Sequence, residues 1–130
     1  MRINHPAAAA LAALALLAAT TAAAQTAAIQ RTILQRLDVA GEAKEMIMAV
    51  IDIPPRTDSP RQTHPGEEFV YVLSGDVIVN IDGRPSSALK TGDSFTVPRG
   101  AKHNTTTRQG VRLLVTWTVD KNAPLAVNVD

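Results

Sequence analysis

The sequence predicts an all-β domain, a small sandwich or barrel of short antiparallel strands. Three observations carry this. Beyond the first two dozen residues, β-branched and apolar residues recur in short runs bounded by Gly, Pro, Asp and Ser. Helix signals are nearly missing from the same region. One run alternates strictly: Val111, Leu113, Val115, Trp117 and Val119 share one face, with Arg112, Thr116 and Thr118 on the other.

Taken in order, the chain opens on a segment outside the fold. Arg2 precedes an uncharged Ala/Leu run from Ala7 to Ala19, and Ala22-Ala23-Ala24 stands before Gln25. This is the pattern of a secretory signal peptide over residues 1–24, cleaved to leave one domain over residues 25–130. The run is shorter than the roughly 20 apolar residues that span a bilayer. A periplasmic or secreted destination, with no membrane contact after cleavage, is expected.

Strands follow. Thr32 to Val39 is the first. Lys44 to Ile53 is rich in Ile, Met and Val and is stopped by Pro54-Pro55. Phe69 to Leu73 is β-branched and aromatic, and Ser74-Gly75-Asp76 turns it into Val77 to Ile81. Asp82-Gly83 predicts a tight hairpin with positive φ at both central positions. Ser87 to Lys90, Ser94 to Val97 and Lys102 to Thr106 are separated by Thr91-Gly92 and by Pro98-Arg99-Gly100. After Val111 to Val119, residues Lys121 to Asp130 read as a tail laid along a neighbouring strand.

Composition excludes several function classes. The chain has 13 Lys and Arg against 12 Asp and Glu, and loss of Arg2 makes the balance even. Such a balance leaves no basic footprint for nucleic acid and no polybasic membrane patch. Cysteine is absent, which removes thiolate zinc sites, iron–sulfur clusters and thiol catalysis. A domain this small buries a limited core, so pairing into a homodimer is expected.

Chemistry concentrates in two places. The stretch "PRQTHPGEEFVYVLSG" holds His64 and Glu68, which strand alternation puts on one face together with Gln62. Glu67 should point to solvent. The Pro65-Gly66 break leaves room for a change of register. The second place is "GDSFTVPRGAKHNTT", where His103 opens a strand. His64 and His103 are the only His residues beyond the signal peptide. Imidazole is the commonest metal ligand and the usual acid–base group near neutrality. Spacing alone does not bring the two together.

Residues 54–119 resemble the small single-domain cupins, whose motifs read G-x5-H-x-H-x3-4-E-x6-G and G-x5-P-x-G-x2-H-x3-N. Here the first motif falls on Arg56, Gln62, His64, Glu68 and Gly75, and the second on Gly92, Pro98, Gly100, His103 and Thr107. In particular the chain is similar to exported bacterial cupins with quercetinase-like relatives. The resemblance implies a jelly-roll β-barrel with a metal held by three His and one Glu. Gln62 stands where the first ligand His is expected, Arg56 replaces a turn Gly, and Thr107 replaces an Asn outside the metal shell.

Two imidazoles and one carboxylate remain, with Gln62 as a weak amide ligand or a partner to metal-bound water. Such a set suits a divalent metal, Fe, Mn, Ni or Zn, and not Cu(I). Without a metal, His64 and His103 would be neutral, hydrogen-bonded pocket residues around a buried Glu68. Three functions stay open. One is a dioxygenase acting on a small aromatic or enolisable substrate, with His64, Glu68 and His103 as ligands and Glu68 doubling as catalytic base. The second is an isomerase, decarboxylase or hydrolytic enzyme on a redox-inert metal. The third is a barrel that binds a small ligand without turnover.

The remaining candidates have plainer readings. Trp117, Phe69, Tyr71, Phe95, Met46 and Met48 read as core or pocket lining. Arg61 and Arg99 read as solvated charges that could instead orient an anion at the barrel mouth. Glu42, Lys44 and Glu45 read as a solvated turn, and the Asn104-Thr105-Thr106 sequon as chance.

Overall fold

The computed structural model describes residues 27–130. The expected signal peptide, residues 1–24, lies outside the described residues. Among those described there is no helix, and hence none long and apolar enough to cross a membrane. Ten strands form one curled sheet, the half-barrel expected of a jelly roll. They are β1 (Gln30–Asp38), β2 (Lys44–Ile53), β3 (Thr57–Asp58), β4 (Gln62–Thr63) and β5 (Gly66–Ile81), then β6 (Ser87–Lys90), β7 (Ser94–Val97), β8 (His103–Thr107), β9 (Val111–Asp120) and β10 (Val127–Asn128).

The path across the sheet is β1-β2-β9-β5-β8-β4-β10, and all pairs are antiparallel. The first half of β5 pairs with β9 and β7. Its second half pairs with β6 and β8. The two expected strands on either side of Ser74-Gly75-Asp76 are therefore one bent strand, and the expected turn is a corner. A bulge between Val72 and Ser74 and a left-handed Gly75 (φ 87°) make the bend. A Cβ on Gly75 would stand 2.2 Å from the Gly110 carbonyl oxygen, so only glycine fits.

The Asp82-Gly83 turn also differs from expectation. Arg84 N–H bonds the Ile81 carbonyl, and only Gly83 has positive φ. The strands it joins pair no further than Val79 with Ser87. The connection is a longer loop holding a β-turn, while β8 pairs with Asn80 and Ile81 on the other edge of β5. The C-terminal tail does lie on a strand: Val127 pairs with Thr63, and Asn128 with Gln62.

Alternation decides what is buried. Along β9 the residues Val111, Leu113, Val115, Trp117 and Val119 point inward and are at most 5% exposed. They pack on Ile47, Ala49 and Ile53 of β2 and Val70 and Val72 of β5. Trp117 and Phe95 line the interior as expected, but Phe69, Tyr71, Met46 and Met48 do not. They face outward on the other side of the sheet and are 37–59% exposed. The register explains it, since Glu68 and Val70 point inward and period two sends 69 and 71 out. With Leu37 and Leu114 they make an apolar outer face across β1, β2, β9 and β5.

Candidate metal centre

Three strands and one loop deliver the site. β4 ends at Thr63, the chain kinks at Pro65, and β5 begins at Gly66. The kink preserves facing, so His64, Gly66, Glu68 and Val70 are buried in turn while Glu67 is exposed. The close approach depends on Gly66: a Cβ there would come within 1.7 Å of the Thr118 carbonyl oxygen. β8 starts at His103, whose Cα is the register partner of Gln62 in β4. This pairing brings together two motifs that lie far apart in the chain.

His64, Glu68 and His103 converge inside the curled sheet. One donor atom from each lies within 4.8 Å of the others, and all three residues are buried. His64 Nε2 is 2.6 Å from Glu68 Oε2. His103 Nε2 is 3.8 Å from the same oxygen. The two imidazole rings are 4.9 Å apart, centroid to centroid. Gln62 lies beside them, its side-chain nitrogen 3.5 Å from His64 Nε2.

Hydrogen bonds set the tautomers. His64 Nδ1 lies 2.7 Å from the Leu125 carbonyl oxygen. His103 Nδ1 lies 3.0 Å from the Ala101 carbonyl oxygen. A carbonyl only accepts, so both Nδ1 atoms donate a hydrogen. In its neutral form each ring would aim an Nε2 lone pair at the cluster centre, the arrangement that orients metal-ligating His. Two acceptors 2.6 Å apart, His64 Nε2 and Glu68 Oε2, are held only by a shared proton or a cation. Trp117 Nε1–H donates to Glu68 Oε2 at 2.8 Å, which fixes the carboxylate. Two N donors and one O donor with oriented lone pairs fit a divalent cation with bonds of about 2.0–2.2 Å.

A cavity of about 190 Å³ opens onto the cluster. Glu68, His103 and Gln62 form its polar floor, and Ile51, Ile53, Phe95, Leu113 and Val115 its apolar walls. Arg31 of β1 stands at the rim, its guanidinium 5.5 Å from the centre of the Trp117 ring. Sequence reasoning missed Arg31, because nothing local marks an arginine on a first strand as a pocket residue. The two arginines expected near the mouth are both occupied. Arg61 is paired with Asp82 and donates to the Asp130 carbonyl oxygen. Arg99 makes two bonds to Asp120, at 2.9 and 2.8 Å. That pair holds Asp120 below and Arg99 above their ordinary pKa ranges, chiefly through the hydrogen bonds. Neither arginine lines the cavity.

The departures from the motifs have structural readings. Arg56 keeps positive φ (54°), the conformation a turn glycine would supply. Buried Thr107 accepts the Gly110 N–H at 3.0 Å and so caps the turn before β9.

The model of the cupin domain matches residues 49–119, more than half of the chain. This chain belongs to the cupin family. Several solved structures share its fold. The DMSP lyase DddQ from Ruegeria pomeroyi is 28% identical, with a TM-score of 0.61, over 65% of this chain and 43% of that one. A cupin superfamily protein from Desulfitobacterium hafniense is 14% identical, with a TM-score of 0.63, over 75% of this chain and 84% of that one. The salicylate 1,2-dioxygenase from Pseudaminobacter salicylatoxidans is 18% identical, with a TM-score of 0.53, over 55% of this chain and 20% of that one. The cupin thus spans less than half the length of the lyase it matches. No curated protein matches it.

Proposed function

We propose that this cupin is an exported protein that binds a divalent metal through His64, His103 and Glu68 and acts as a dioxygenase on a small aromatic or enolisable substrate. The single observation that carries the metal reading is the pair of oriented imidazoles, each with Nδ1 tied to a backbone carbonyl and Nε2 turned to one carboxylate. A bound Fe(II) or Mn(II) would supply Lewis acidity and a site for O2, whose two atoms both enter the product. The chain's own contribution is a largely apolar wall and a three-donor floor in which Glu68 can move a proton at Oε2. A solved fold neighbour is named for such chemistry on salicylate, which supports the reading at the level of fold only.

Gln62 favours a second reading. An amide where a fourth imidazole would stand weakens metal affinity and suits a ligand-binding barrel without turnover. The experiment separates the two. Protein purified without a His-tag is assayed for bound metal, then for O2 consumption on enolisable and phenolic substrates after Fe(II) or Zn(II) loading. The metal reading expects near-stoichiometric uptake in wild type, loss in His64→Ala and His103→Ala, and tighter binding in Gln62→His. Turnover only with Fe(II) and O2 supports the oxygenase. Turnover with Zn(II) under nitrogen would replace it by an isomerase, decarboxylase or hydrolase. Uptake that the His variants leave unchanged sinks the metal assignment.

Export rests on the residue 1–24 pattern, and N-terminal sequencing of periplasmic protein should begin at Gln25. Pairing of two copies is supported by the apolar outer face, whose central row, Gln35, Met48, Thr116, Phe69 and Thr96, carries no charge. Light scattering should give twice the chain mass for wild type and a single mass for a Met48→Lys, Phe69→Lys double variant.

A further inference from the structure

Arg31 and Glu68 carry the formal charges in the cavity lining. Glu68 is committed to the cluster by Trp117 and His64. Arg31 is committed to nothing of opposite sign. Among the described residues Arg36, Arg61, Arg99 and Arg112 are each paired with a carboxylate; Arg31, Arg56, Arg84 and Arg108 are not, and of these four Arg31 alone lines the cavity. Its guanidinium lies over the Trp117 ring. At 5.5 Å from the ring centre the contact is a cation–π one, and no carboxylate takes up the N–H groups of the fork, which suits it to a carboxylate ligand.

We infer that Arg31 is the specificity-determining residue of this pocket and selects a small organic acid, its carboxylate on Arg31 and its apolar body between Ile51, Phe95 and Leu113. Three features converge on that class. The cavity volume of about 190 Å³ exceeds the roughly 150 Å³ that accommodates a benzene ring, so one ring with a short substituent fits. Most of the lining between the two polar ends is apolar, with Ser59 and Thr105 as the hydroxyl-bearing exceptions. With a divalent cation on the floor, the metal, Glu68 and Arg31 sum to a net positive charge, which an anion relieves. The inference deepens the proposed function and rests on the same pocket; its charge argument uses the metal, while the volume, the walls and the free guanidinium do not.

The test uses Trp117, the chain's single tryptophan, as an intrinsic fluorescent reporter. Benzoate and its neutral isostere benzamide are titrated into the metal-stripped protein and then into the zinc-loaded protein, for wild type, Arg31→Gln and Arg31→Lys. Urea midpoints check that the variants are folded. The expected result is saturable quenching by benzoate in wild type, weakened about tenfold or more in Arg31→Gln, since a charged hydrogen bond of this kind is lost. Arg31→Lys should recover part of the affinity, and benzamide should bind all three proteins equally weakly. Equal benzoate affinity in wild type and Arg31→Gln overturns the inference. So does benzamide binding as tightly as benzoate, or no saturable benzoate signal in wild type. Failure of zinc uptake would sink the metal reading while leaving the metal-free benzoate comparison intact.

Discussion

At the residue scale, Trp117 links the core to the site. It is 1% exposed, its ring packs beside His64, and its N–H holds the Glu68 oxygen that faces both imidazoles. Phe at this position keeps an aromatic ring but removes the donor and some volume. Trp117→Phe should lose about 2 kcal/mol of stability, from a buried carboxylate short of one partner and a small cavity. Its metal affinity should fall by about tenfold, as orienting hydrogen bonds typically do when removed. Urea denaturation and a competitive zinc titration read the two effects separately. An unchanged zinc affinity would show that Glu68 needs no help from the indole.

At the element scale, the C-terminal tail is a working part of the site. β10 adds to β4, and the preceding turn places the Leu125 carbonyl on His64 Nδ1. A chain ending at Asn122 should therefore lose about 10–100-fold in metal affinity through His64, although every donor atom remains. Equal affinity in the shortened chain would refute that role for the tail. The corner in β5 makes a second prediction. Gly75→Ala forces a Cβ into the Gly110 carbonyl oxygen at a left-handed φ, and should cost about 2 kcal/mol or more in a thermal or urea melt.

Elements also show where the sequence was readable. The alternation of β9 and the apolar run of β2 are strong local signals, and both strands appear where expected. The corner of β5 read as a turn because Ser-Gly-Asp is turn chemistry. The bend is real, but the partner strands on either side keep the chain extended through it. Phe69 and Tyr71 read as interior because they are aromatic. Setting His64 and Glu68 inward first would have sent them to the outside by parity alone.

At the scale of the whole molecule, Arg99 and Asp120 tie the turn before β8 to the end of β9, across the mouth of the His64 kink. Asp120 titrates below the ordinary carboxylate range, chiefly because Arg99 donates to it. A depressed folded pKa contributes stability above the unfolded pKa and loses it as pH falls through the folded one. The urea midpoint of wild type should thus exceed that of Asp120→Asn near neutrality, and the gap should close in acid. A gap that persists below the pKa of Asp120 would assign the effect to something other than its charge. High salt should narrow the gap as well, because both groups are exposed to solvent.

Read as a string, the chain already contained its all-β class, its strand-and-turn rhythm, the inward parity of Gln62, His64 and Glu68, and the family motifs with their one missing imidazole. Those are local properties, written in spacing and in residue types that suit a pleated surface. Folding alone decided that His103 meets His64, that a carbonyl from the tail sets the His64 tautomer, and that an arginine from β1 overlooks the cavity. Each of these joins residues far apart in sequence through strand pairing. The choice of partner belongs to the sheet as a whole and leaves no mark on any one strand.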